Sequence, residues 1–474
     1  MHLTLVTTKI FATAALLFTV LVASAAVSAV ELHSLFTSGA VLQQGTNLPI
    51  WGTANDGEKV TVTFQDQEVS TKARDGRWMV RLEPLSPGGP FTMTISGENT
   101  ITLDNILVGE VWICSGQSNM QFFLMHDANA EQAVAASRDP QLRLFSVPYN
   151  PADAPETDVD GKWQECGSEA AREFSAVAYY FGRDLRKALN VPVGLINSSY
   201  GGTRIQAWTS SSAIAPEDAE RDTEKAWDDN KQNRSSALYN GMIAPIRPFA
   251  IRGVISYQGE SNADQAFRYR TLLPNMIRDW RRKWGQGDFP FVFVQLAPFG
   301  KILDEPADSP WAELREAQLL TSLNCPNTAM IVITDHGDPD DIHPGRKAPV
   351  GGRLALAARA LAYGEDIVCS GPAYDSMQVK GSRAMLCFKH ADGGLVARGG
   401  ELTGFTVAGA DKRFNNARAT VQRDKVVVSS PMVDVPVAVR YGWADCPVVN
   451  LFNGEGLPAS PFRTDDFPMV TAPQ

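Results

Sequence analysis

Five short runs of nearly unbroken apolar residues constrain this chain more than any other feature. They are Val111 to Cys114, Val193 to Asn197, Gly253 to Gln258, Phe291 to Leu296 and Met330 to Thr334. A strand that does not alternate apolar with polar residues is buried on both faces, and such strands belong to parallel sheets covered by helices. The stretches between them carry helical periods. Phe174, Val177, Ala178, Phe181, Leu185 and Leu189 fall on one stripe that stops at Asn190 before Pro192, and Tyr269 to Trp284, Ala312 to Leu323 and Val350 to Tyr363 read the same way. Strand and helix in alternation predict a three-layer α/β/α domain with a parallel sheet, whose site forms at the carboxyl ends of the strands.

The flanks have a different rhythm. From Val30 to Leu107 short alternating strands such as Val60 to Phe64 and Phe91 to Ile95 are separated by Gly-containing turns, which predicts an N-terminal β-sandwich over 30–107. After about Gly371 short strands and Gly-rich turns return, so 108–370 is expected to be the α/β domain and 371–474 a C-terminal β module. A chain of 474 residues exceeds what one core usually organises, in keeping with several units.

Residues 1–29 read as a secretory signal peptide: Lys9, the apolar run Ile10 to Ala23, and the small-residue site Val27-Ser28-Ala29. The expected destination is secreted, periplasmic or extracellular, with no membrane insertion once the signal is cleaved. The formal charge of −10 argues against nucleic acid as a partner, since such a partner needs a positive surface. The six cysteines are widely spaced, and no His or Cys pair has metal-ligand spacing, so neither a metal nor another cofactor is expected. Cys114, inside an apolar run, reads as a buried free thiol.

The chemistry gathers where the strands end. The first run leads into Ser115-Gly116-Gln117-Ser118-Asn119-Met120, a glycine-bearing turn able to expose Ser118. The second ends in Asn197-Ser198-Ser199-Tyr200-Gly201-Gly202-Thr203, where paired glycines let backbone N–H groups approach a ligand. The third ends in Gln258-Gly259-Glu260-Ser261-Asn262. The last is followed by Asp335-His336-Gly337-Asp338-Pro339-Asp340-Asp341-Ile342-His343-Pro344, which brings a histidine with several carboxylates. His343 is the favoured base and His336 its rival. Each block taken alone is an ordinary polar turn; four in this order are not.

Together these blocks resemble the sialate O-acetylesterase family of the SGNH hydrolase superfamily. Gly116 to Met120 is similar to its nucleophile block, Ser199 to Thr203 to its glycine block, Gln258 to Asn262 to its asparagine block and Asp341 to Pro344 to its histidine block. Tyr200 and Ser256 stand where many relatives have tryptophan. The resemblance implies a flavodoxin-like SGNH hydrolase domain that removes acetyl from sugars, with Ser118 as nucleophile, His343 as base, and an oxyanion hole from the N–H groups of Ser118 and of Gly202 or Gly201 and the Asn262 side chain. The acid that orients His343 is expected to be Asp340, by its Asp-x-x-His spacing, with Glu260 as the alternative. Gln117, Gln258 and Arg204 are expected to line the pocket, Arg204 as a fork for a substrate carboxylate. The expected partner is an acetylated sugar or glycan: a sialate ester first, an acetylated xylan or other polysaccharide second. A carbohydrate-binding protein that kept the fold and lost the reaction is the reading from another class.

Overall fold

The computed structural model describes residues 29–216, 230–391 and 393–473. The expected signal peptide lies, apart from Ala29, outside the described residues. No helix among the described residues is long and apolar enough to cross a membrane.

The centre of the molecule is mixed α/β. Its main sheet runs in the order Gln164–Cys166, Asp139–Ser146, Val193–Ser199, Thr100–Gly116, Gly253–Tyr257, Phe291–Val294, Thr328–Ile331. All neighbours pair in parallel except the first two. The apolar runs are continuous because each strand feeds two cores in alternation. Val111, Ile113, Val254, Phe291 and Phe293 join one cluster with the helices Ala266–Trp284 and Pro310–Asn324. Trp112, Cys114, Ile255, Val292 and Val294 join the other with Ala176–Leu189 and Ala348–Tyr363. Helices therefore cover both faces. The Ala176–Leu189 helix begins where the Ser175 hydroxyl accepts from the Ala178 N–H at 3.1 Å, and it ends at Asn190 in the left-handed region (φ 54°).

Two expectations shift. The last strand is Thr328–Ile331 rather than Met330 to Thr334: among the described residues it pairs with Phe291–Val294 alone, and the ladder closes with the Gln295 N–H donating to the Ile331 carbonyl at 2.9 Å. The boundary expected at residue 107 falls inside one strand: Thr100–Gly116 pairs antiparallel with Gly88–Ser96 at its start and parallel with Val193–Ser199 at its end. The N-terminal strands are thus covalently continuous with the central strand of the main sheet. They form a sheet of Glu31–Leu32, Leu48–Thr53 and Arg77–Leu82 opposite the strands around Lys59–Phe64, with Ile50, Val80, Val62 and Phe64 in a shared core.

After the Ala348–Tyr363 helix the chain is built of strands, in two four-stranded sheets and a two-stranded one around Leu386, Phe405, Val426, Val439 and Phe462. Arg315, fully buried on the Pro310–Asn324 helix, ties this part to the centre. Its guanidinium donates to the carbonyls of Leu296 (2.8 Å), Ala297 (3.0 Å), Ala444 (2.7 Å) and Asp445 (2.8 Å). All six cysteines are free, and Cys114 is buried, as its apolar run predicts.

Candidate active site

The sheet order places Thr100–Gly116 between Val193–Ser199 and Gly253–Tyr257: the next strand in the chain, Asp139–Ser146, lies to one side beyond Val193–Ser199, while Gly253–Tyr257 leads to Phe291–Val294 on the other. The connections diverge there, and ligands of open α/β sheets bind at such a point. Gly116 makes the exit possible: its φ is +146°, and a Cβ would lie 2.1 Å from the Tyr257 carbonyl oxygen. The chain then turns through Gln117 into a short helix that starts at Ser118, so the Ser118 N–H is free of the helical ladder.

Ser118 Oγ lies 2.8 Å from His343 Nε2 across 225 residues of sequence, and both side chains are partly exposed. His343 titrates below its ordinary range, because burial disfavours its charge and the nearby Lys347 ammonium repels it, against the pull of Asp341. A neutral imidazole can take the serine proton. The rival His336 is engaged elsewhere: it lies 3.5 Å from Asp335, whose carboxylate holds Arg353 with two 2.7 Å contacts.

The carboxylate nearest His343 is not the expected one. No ion pair joins Asp340 to His343 among the described residues. The Asp338 carboxylate accepts the Asp340 N–H at 2.9 Å, and this turn leaves the Asp340 side chain in solvent. Asp341 faces the imidazole instead, accepting the His343 N–H at 2.8 Å and lying 3.6 Å from Nδ1, in ion-pair range but beyond hydrogen-bond length. The alternative, Glu260, meets Asn119 rather than His343: Asn119 Nδ2 donates to its Oε1 at 2.6 Å, and Oε2 has no partner among the described residues. Burial raises the pKa of Glu260.

The expected oxyanion and pocket residues divide. The Gly202 N–H has no partner among the described residues, and the space beside its Cα is open. Gly201 packs on the nucleophile, where a Cβ would come within 3.3 Å of Ser118 Cβ, and its N–H donates to Gln121 Oε1 at 2.7 Å. Asn262, expected to donate in the oxyanion hole, has no exposed surface. Its Oδ1 accepts from the Ile205 N–H and from Gln258 Nε2, both at 2.9 Å, and its Nδ2 donates to Gln206 at 3.0 Å. Gln117 and Gln258 are also buried: Gln258 bonds Gln117, the Thr203 carbonyl and the Tyr269 hydroxyl. These three amides brace the loops from beneath because a strand-end turn leaves inward polar groups that need partners. Arg204 does reach the surface, but its guanidinium is already paired with Asp264 at 3.0 Å.

Four residues not expected from the sequence to take part in the chemistry also border these loops. Asn119 joins three loops, donating also to the Ile342 carbonyl at 3.0 Å and accepting from Lys347 Nζ. Lys347 is almost wholly buried against the rings of Phe122 and Tyr257, and burial lowers its pKa to about 8. Asn233 holds the glycine turn: its Nδ2 donates to the Gly202 carbonyl and its Oδ1 accepts the Arg204 N–H, both at 2.8 Å. Tyr149 stands beside Tyr200, with ring centroids 4.7 Å apart. A cleft of about 920 Å³ lies elsewhere, lined by Trp51, Arg77, Asp158 and Arg247 among others, and none of the strand-end residues borders it.

Residues 108–360 match the family model for carbohydrate esterases described as sialic acid-specific acetylesterases, more than half of the chain. The chain belongs to this family. It is similar to the human sialate O-acetylesterase, 32% identical over 464 residues that cover 87% of this chain and 88% of that protein, and to the sialate O-acetylesterase of Pongo abelii at 31% with the same coverage. Among solved structures, a carbohydrate acetylesterase from Xanthomonas citri is 41% identical with a TM-score of 0.88, covering 92% of this chain and all of that one. The chain is a carboxylic ester hydrolase of the sialate O-acetylesterase type. The four strand-end blocks lie within the matched residues.

Proposed function

We propose that this esterase hydrolyses acetyl esters of sugars through an acetyl-enzyme on Ser118, in an SGNH-type flavodoxin-like domain flanked by two β modules. The observation that carries the reading is the 2.8 Å approach of Ser118 Oγ to His343 Nε2. His343 takes the serine proton as Oγ attacks the acetyl carbon, then returns it to the departing sugar oxygen. Water, deprotonated by the same imidazole, attacks the acetyl-enzyme and releases acetate. Charge on the former carbonyl oxygen is met by the N–H groups of Ser118 and Gly202, and each such donor is worth about 2.7 to 4 kcal/mol in the transition state. Asp341 supplies the opposite charge behind the imidazolium. Asn262 keeps this hole in shape by fixing the Ile205 and Gln258 ends of the loops. Export through the N-terminal segment 1–29 belongs to the same reading.

The names of the relatives favour a sialate ester as substrate. The Arg204–Asp264 pair favours a neutral acetylated sugar as the second reading, because a substrate carboxylate would have to displace Asp264. The test is acetate release from O-acetylated sialic acid and from acetylated xylan by the mature chain, beside Ser118→Ala and His343→Ala. Release by the wild type and its loss in both variants is expected, and the better substrate decides between the readings. Undiminished release by Ser118→Ala would remove the serine mechanism.

A further inference from the structure

Among the described residues, Tyr149 is the most exposed aromatic ring that contacts the site loops, with half of its surface in solvent. Nothing in the proton transfer uses it. Its position is nevertheless fixed from three sides. Its ring packs at 55° against Tyr200, the residue that opens the glycine turn. Its hydroxyl accepts from Gln121 Nε2, while Oε1 of the same amide accepts the Gly201 N–H, and Gly201 in turn packs on Ser118. The segment that carries it is pinned along its length: the Val147 N–H donates to Asn197 (2.9 Å), Ala152 to Ala237 (3.0 Å) and Glu156 to Asn240 (2.9 Å). Gly241 lies so close to this segment that a Cβ would sit 1.7 Å from the Asn150 carbonyl oxygen.

An exposed ring held this firmly is preorganised, and its occupant can be argued from its chemistry. The π face carries partial negative charge and suits the polarised C–H groups of a pyranose ring, while the hydroxyl offers a polar tip. Because Gln121 donates to the Tyr149 oxygen, the phenolic hydrogen stays available for a sugar hydroxyl. Ligand sites of this kind combine aromatic walls with a few placed polar groups.

We infer that Tyr149 and Tyr200 form the subsite that takes the sugar ring of the substrate, holding its acetyl group over Ser118. The inference rests on the acetylesterase reading, and it assigns sugar recognition to an aromatic pair on the 147–156 segment rather than to Gln117, Gln258 or Arg204.

The test is calorimetric titration of Ser118→Ala protein, which binds without turnover, using O-acetylated N-acetylneuraminic acid and an acetylated xylo-oligosaccharide as probes. Adding Tyr149→Ala should weaken binding of the preferred probe by about tenfold, equivalent to about 1.4 kcal/mol. Tyr149→Phe, which keeps the ring, should lose less than Tyr149→Ala and guards against a folding defect. Unchanged affinity in Tyr149→Ala, equal losses in the Phe and Ala variants, or no binding of either probe by the Ser118→Ala protein would overturn the subsite. Acetate release is measured separately: if the wild type releases none while binding still depends on Tyr149, the proposed Ser118 chemistry fails and only the sugar-binding role of the tyrosine pair stands.

Discussion

The proposed proton transfer at Ser118 would take place beside a lysine that no motif marks. Lys347 lies under His343, with Glu260, Asp127, Asp341, Tyr257 and, through Asp127, Tyr180 as the titratable groups around it. Its charge repels a proton on His343, which keeps the imidazole neutral and the base competent below its ordinary range. In Lys347→Met that repulsion is gone, the His343 pKa rises, and the acid limb of the pH profile of kcat/KM should move to higher pH. A limb that stays in place would show that burial alone sets the imidazole. The acid behind His343 gives a second contrast. Asp341→Asn should lower kcat by about 10- to 100-fold, less than the ~10⁴ of a buried, hydrogen-bonded triad acid, because Asp341 is exposed and 3.6 Å away. Asp340→Asn should leave kcat within about twofold, since surface changes away from partners do little; the reverse order would restore the Asp-x-x-His expectation. The approach of Ser118 to His343 could be anticipated because both follow apolar strands and the chain has only six histidines. Lys347, Asn119 and Asn233 were not, because their importance comes from burial between loops distant in sequence. The same burial places Gln117 and Gln258, expected as substrate ligands, and Asn262, expected in the oxyanion hole, in hydrogen bonds between the loops.

The elements themselves were largely written in their periodicity. The stripe from Phe174 to Leu189 became the Ala176–Leu189 helix, and continuous apolar runs became strands that feed two cores. Strand ends were less legible where pairing decides them, as at Thr328–Ile331, because a ladder stops with its partner and not with its own apolar residues. The turn after the central strand is where local and global demands meet. Gly116→Ala would put a methyl group 2.1 Å from the Tyr257 oxygen at a φ of +146°. Denaturant unfolding should show a loss of about 2 to 3 kcal/mol from strain and overpacking, with kcat reduced as Ser118 shifts. A neutral substitution would mean that the neighbouring strands separate more easily than their pairing implies.

At the scale of the whole molecule the three parts are less separable than the change in sequence rhythm suggests. One strand carries the N-terminal sheet into the centre, and Arg315 ties the C-terminal strands to the main sheet through four carbonyls. Neither link shows in composition, since a strand crossing a boundary and a buried arginine look ordinary in one dimension. Arg315→Met should cost at least about 3 kcal/mol by leaving buried carbonyls unpaired, read as a lower denaturation midpoint; an unchanged midpoint would make the C-terminal strands independent. In the proposed mechanism these supports converge on one activated hydroxyl, which should react directly with an organophosphate ester. Peptide mapping after that treatment should find a single phosphorylated residue, Ser118, protected by an acetylated sugar and lost in His343→Ala. A label on another serine, or none while acetate release continues, would contradict a Ser118–His343 mechanism.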